Sequence, residues 1–142
     1  MRRSVLSVWL ITALVAASAA CNNNSNPTIP TPTPNPTTET FPGTIDVNGA
    51  ATFPFTIATG GFVTATLTSV GPDSTTLIGF SIGTVSSTGG CSVTGSGLFL
   101  DKAAQGASIV ASVTIPGTLC LRVYDAGTLT GPTTFSIDVA HP

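Results

Sequence analysis

From Phe41 to Pro142 apolar residues recur at every second position in short runs, broken by turn residues every eight to twelve positions. A half-buried strand needs this period-two pattern, whereas a helix needs apolar residues three and four apart. No helical pattern lasts longer than two turns. Phe53, Phe55 and Ile57 share one face of a run, and Pro54 on its other face confines that run to a sheet edge or a bulge. Val63, Ala65 and Leu67 point one way while Thr64, Thr66 and Thr68 point the other. The same holds for Ile109, Ala111 and Val113, for Leu119, Leu121 and Val123, and for Phe135, Ile137 and Val139. A further strand is predicted over Leu77 to Val85, with a looser region from Ser86 to Gly106.

Seven to nine such strands in about a hundred residues predict one all-β domain. The expected architecture is a single antiparallel β-sandwich, jelly-roll-like, over residues 41–142. The Cys-Trp-Cys signature of immunoglobulin domains is absent, because the one tryptophan is Trp9. Asn48-Gly49 after Thr44-Ile45-Asp46-Val47 predicts a two-residue hairpin turn.

The first twenty residues have a different character. Arg2-Arg3 is followed by an apolar run from Val5 to Ala17, long enough for an export signal. It is too short for a bilayer span of about 20 residues. Two cleavage readings compete. An ordinary signal peptidase cuts after Ala17-Ser18-Ala19, before Ala20. Alternatively, Ser18-Ala19-Ala20-Cys21 resembles the bacterial lipobox, with Ser18 where that family most often has Leu. The resemblance implies a signal peptide over 1–20 and a diacylglyceryl group on Cys21, which would anchor the chain to the membrane. Asn22 is not the Asp that marks inner-membrane retention, so the outer membrane is expected in a Gram-negative host.

Five prolines and six threonines fill residues 22–40, with Ile29 the one large apolar side chain. That composition cannot build a core and predicts a disordered Pro/Thr-rich tether over 21–40, at about 3.1 Å per residue where it is polyproline II.

Three cysteines are an odd number for an exported protein. Assigning Cys21 to lipid leaves Cys91 and Cys120, and an oxidising envelope favours their pairing in a disulfide.

Three stretches carry a second resemblance: Gly61-Phe-Val-Thr-Ala-Thr-Leu-Thr-Ser69, Gly117-Thr-Leu-Cys-Leu-Arg-Val-Tyr-Asp125 and Thr134-Phe-Ser-Ile-Asp-Val-Ala-His-Pro142. Together they resemble bacterial pre-peptidase C-terminal domains. The resemblance implies a jelly-roll sandwich that usually accompanies a secreted protease, with some members binding calcium, collagen or polysaccharide. No protease precedes the domain in this sequence.

Charge and chemistry narrow the function further. Charged residues make up 7% of the chain. After Cys21, Lys102 and Arg122 face Glu39, Asp46, Asp73, Asp101, Asp125 and Asp138, a net charge of −4. Two cations cannot neutralise a run of phosphates, so nucleic acid is not an expected partner. The same deficit argues against docking on anionic lipid.

His141, the one histidine, is expected as an exposed terminal residue, and no catalytic residue is expected. Asp101, Asp125 and Asp73 are the hard oxygen ligands a calcium ion would need. They are dispersed in sequence, and neither a metal site nor a cofactor is predicted. After the signal peptide the chain has no Trp and one Tyr, Tyr124. The phenylalanines are expected mostly on inward faces, which argues against an aromatic sugar platform but leaves Thr, Asn and Asp able to hold a sugar. The expected function is a cell-envelope binding or adhesion module for a protein or polysaccharide. A structural envelope component is the alternative, and an enzyme is not expected.

Overall fold

A computed structural model of the chain describes residues 35–95 and 97–142. The expected signal peptide, Cys21 and the tether up to residue 34 lie outside the described residues. What is described is all-β: nine strands in two antiparallel sheets, with no helix. In chain order they are β1 (Thr37–Ile45), β2 (Ala50–Ile57), β3 (Gly61–Gly71), β4 (Ile78–Val85), β5 (Cys91–Ser92), β6 (Phe99–Ala103), β7 (Ser108–Val113), β8 (Gly117–Tyr124) and β9 (Thr133–His141).

One sheet has the order β1-β9-β3-β7. The other has the order β2-β8-β4, with β5 and β6 both pairing with the free edge of β4. The antiparallel pairs β4/β6, β3/β7, β2/β8 and β1/β9 are nested one inside the next. The chain is thus one long double ribbon rolled over on itself, which is the order of a jelly roll.

The predicted inward faces meet between the sheets. Val63, Ala65, Leu67, Phe80, Leu121, Val123, Ile137 and Val139 are completely buried. A bulge in β3 between Leu67 and Ser69 shifts the alternation by one residue, so Val70 also turns inward. Phe41, Phe53, Phe55 and Phe135 pack as a cluster, with ring centroids 5.5 to 6.1 Å apart, and join β1, β2 and β9 across the interior. As Pro54 requires, β2 is an edge strand.

Two expectations change. The expected tether loses its last four residues, because Thr37–Thr40 pair with Asp138–His141 as the first half of β1. β-branched Thr38 and Thr40 suit an edge strand, and Glu39 finds a partner in His141, so composition alone misplaces this boundary. The second change is at Asn48-Gly49, which does not make a hairpin. Gly49 N–H donates to Asp46 O at 2.8 Å and Asn48 adopts a left-handed φ of 59°, so the turn chemistry is as expected. Yet β1 and β2 lie in different sheets, and the turn carries the chain across the sandwich.

A feature on which the residue pattern gives no expectation is β4, whose outward residues Gly79, Ser81 and Gly83 are buried like its inward ones. The Tyr124 ring lies over Gly79, and the β5 backbone lies over Gly83. Ser81 Oγ, between them, has no hydrogen-bond partner among the described residues.

Candidate functional site

The sandwich has two dissimilar ends. Thr37 pairs with His141 and Ile45 with Thr133, so the chain enters at one pole and β1 runs the full length to the other. A cleft of about 410 Å³ opens at the far pole, between the loop joining β3 to β4 and the loop joining β8 to β9.

Short polar contacts hold both loops in place. Asp125 closes β8: its carboxylate accepts N–H bonds from Asn48 at 2.9 Å, from Gly127 and Thr128 at 2.8 Å, and from Leu129 at 3.1 Å. It thereby joins the β1–β2 turn to the loop that walls the cleft. The two walls are bridged where Thr128 Oγ1 donates to Leu77 O at 2.7 Å. On the other wall, Asp73 Oδ1 accepts from both the N–H and the hydroxyl of Thr75 at 2.8 Å. The lining includes Thr76, Thr130, Pro72 and Pro132, and among the described residues it contains no Lys, Arg or aromatic side chain. The site offers hydroxyls and one carboxylate on stiff loops, which suits a neutral, hydroxyl-bearing or peptide surface better than an anion.

These bonds set the response to acid. The N–H of Asn48 first, with those of Thr128, Leu129 and Gly127, holds the Asp125 carboxyl below the usual aspartate range, against an opposing desolvation. The backbone N–H and then the hydroxyl of Thr75 do the same for Asp73. The folded carboxyls bind a proton less readily than the same groups in the unfolded chain. Their contribution is therefore complete above the ordinary aspartate pKa of about 3.9 and is lost as pH falls below it. Asp125→Ala is expected to lower the melting temperature at neutral pH, with the gap to wild type closing in acid. Thermal melts across pH check this, and a pH-independent gap would contradict the account.

A second polar group lies on the outer face of the β8/β4 sheet. Tyr124 crosses Gly79 to donate its hydroxyl to Asp101 Oδ1 at 2.6 Å, and the Arg122 guanidinium sits 5.0 Å from the Tyr124 ring centroid. Burial first, then the bond to Asp101, pushes the Tyr124 pKa up to about 12, so the hydroxyl stays protonated.

The sequence-derived site residues fare differently. Cys91 and Cys120 are bonded, with an S–S distance of 2.06 Å and Cα atoms 5.7 Å apart. Cys21 lies outside the described residues. Asp73, Asp101 and Asp125 do not converge: each is engaged by a different partner, and no cluster of three metal-ligating side chains occurs among the described residues. His141 is not an exposed terminal residue. It is 4% exposed, its Nε2 lies 2.9 Å from Glu39 Oε1, and its ring packs 5.6 Å from that of Phe55. Pairing of β9 with the unforeseen half of β1 encloses it.

Phe41, Phe53, Phe55, Phe80 and Phe135 pack in or against the core, as expected of most of the phenylalanines, while Phe62 and Phe99 face outward, 71% and 45% exposed. Sequence reasoning missed the cleft. Thr beside Pro and Gly in residues 72–77 and 126–133 marks two loops, but nothing in the pattern brings them together. No protein family model and no curated protein matches the chain.

Proposed function

We propose that the protein is a bacterial cell-envelope lipoprotein, anchored through lipid on Cys21, whose sandwich is a binding or adhesion module for a protein or polysaccharide. The observation that carries this reading is the position of the cleft, at the pole opposite the one where the chain enters. A domain held by its N-terminal side presents that pole to whatever lies beyond the membrane. The Cys91–Cys120 disulfide fits an oxidising compartment. The jelly-roll order is the fold implied by the resemblance to pre-peptidase C-terminal domains. Catalysis is not part of the proposal: His141 is held by Glu39 at the pole away from the cleft.

The test is affinity capture of envelope proteins and glycans by the lipidated protein. Thr76→Trp with Thr130→Trp fills the cleft without touching the core. Loss of the captured partner is the expected result, and undiminished capture would remove the cleft from the account.

One observation favours the structural alternative. On the outer face of the β1-β9-β3-β7 sheet, Thr40 is bonded to Asp138 at 2.7 Å and Thr66 to Ser108 at 2.8 Å. Hydroxyls satisfied by one another make an inert surface, and capture of nothing by the wild type would favour that reading.

A further inference from the structure

The pole where the chain enters differs in polarity from the cleft pole. Its three loops, residues 58–60, 86–90 and 114–116, contain no charged residue, whereas the loops at the cleft pole carry Asp46, Asp73 and Asp125. The register places these loops together: Ile57 pairs with Gly117, Gly61 with Val113, and Ala58 N–H reaches Pro142 O at 3.4 Å. Large apolar side chains project from the same end. Phe62 is 71% exposed, Ile115 70% and Val85 40%, and Val110 lies on the adjoining strand β7. Glu39, the nearest strand carboxylate, is turned to His141.

Exposed Phe and Ile among uncharged loops are costly against water and suit the interface of a bilayer, where an apolar side chain gains. We propose that this pole rests on the lipid surface, with Phe62 and Ile115 inserted at headgroup depth, so that the cleft faces outward. The proposal rests on the anchoring of Cys21. Fifteen residues separate Cys21 from Thr37, a span of at most roughly 50 Å at the extended-chain limit. The entry pole is the part of the domain that such a chain joins first. Two inserted side chains bind weakly alone, but a short tether holds them at an effective concentration in about the millimolar range.

The cations do not contribute. Lys102 lies beside Ala103, which pairs with Ile78 toward the cleft pole, and Arg122 stacks on Tyr124. The contact is therefore apolar and is not screened by salt.

The experiment uses the lipidated protein in phosphatidylcholine vesicles with brominated acyl chains. With Trp9 removed along with the signal peptide, Phe62→Trp supplies a single tryptophan. Its emission is expected to shift to shorter wavelength and to lose most of its intensity to the brominated lipid, equally at low and high salt. A Thr130→Trp variant at the cleft pole is expected to show neither change.

Two results overturn the proposal. In one, acrylamide quenches the Phe62→Trp variant as readily as the Thr130→Trp variant, and brominated lipid leaves both bright. In the other, the indole of the Phe62→Trp variant is shielded only by cross-linkable association of two copies. Fatty-acid labelling of the same preparation separates the two claims. Labelled but unquenched protein overturns the docking alone, and absence of label overturns the anchor and the docking together.

Discussion

Replacing Cys91 and Cys120 together by alanine is expected to destabilise the domain by about 3 to 4 kcal/mol, the loop-closure entropy of a thirty-residue loop. The two cysteines are 29 positions apart, and their bond spans β4, joining β5 on one side to β8 on the other. β5 is two residues long and pairs with β4 at two positions, so the bond is its main restraint. A domain of this size has a total stability of roughly 5 to 15 kcal/mol. Loss of the bond therefore moves a large share of it. Urea unfolding of the oxidised wild type against the double variant measures the difference, and reductant should lower the wild-type midpoint while leaving the variant unchanged. A difference under about 1 kcal/mol would place the stability elsewhere, at the weak end of what cross-links contribute.

Gly83→Ala tests the same place from the other side. A Cβ on Gly83 would stand 2.4 Å from Ser92 O, 2.8 Å from its carbonyl carbon and 3.2 Å from Cys91 Sγ. The obstacle is backbone, and the disulfide holds that backbone down, so it cannot rotate away as a flexible side chain would. Overpacking of this kind costs about 1 to 3 kcal/mol, and the upper end is expected here. Gly117→Ala, with nothing within 4 Å of the added carbon, should stay within about 0.5 kcal/mol of wild type. In the Cys91→Ala, Cys120→Ala background β5 is free to lift. Gly83→Ala should then cost clearly less, a coupling that a double-mutant cycle reads directly. Equal costs in both backgrounds would mean that the strap does not press on Gly83.

Much of this architecture is legible in the residue pattern, and the parts that are not have physical causes. Period-two alternation shows which face of a strand is buried. That is why Val63-Ala65-Leu67 and Phe135-Ile137-Val139 read correctly. It says nothing about which sheet a strand joins, so Asn48-Gly49 reads as a hairpin although its strands lie in opposite sheets. Thr37–Thr40 resemble the tether that precedes them and become strand through pairing with β9, a partner about a hundred residues away in sequence. That pairing also buries His141, which position alone places in solvent.

The disulfide follows from counting cysteines by compartment. The cleft could not be anticipated, because its two walls meet through a Thr128–Leu77 bond that no local pattern encodes. The outward Phe62 is an exception among phenylalanines that mostly fill the core, as their pattern suggests. Its place at the entry pole, among uncharged loops, supplies a reason that propensity does not contain.

The proposed function and the proposed membrane contact both depend on the chain being anchored at Cys21. Metabolic labelling with a fatty acid, followed by isolation of the protein from the membrane fraction, tests this most directly. The account predicts label and membrane residence in the wild type, and loss of both in Cys21→Ser. Unlabelled wild-type protein released in soluble form would contradict it.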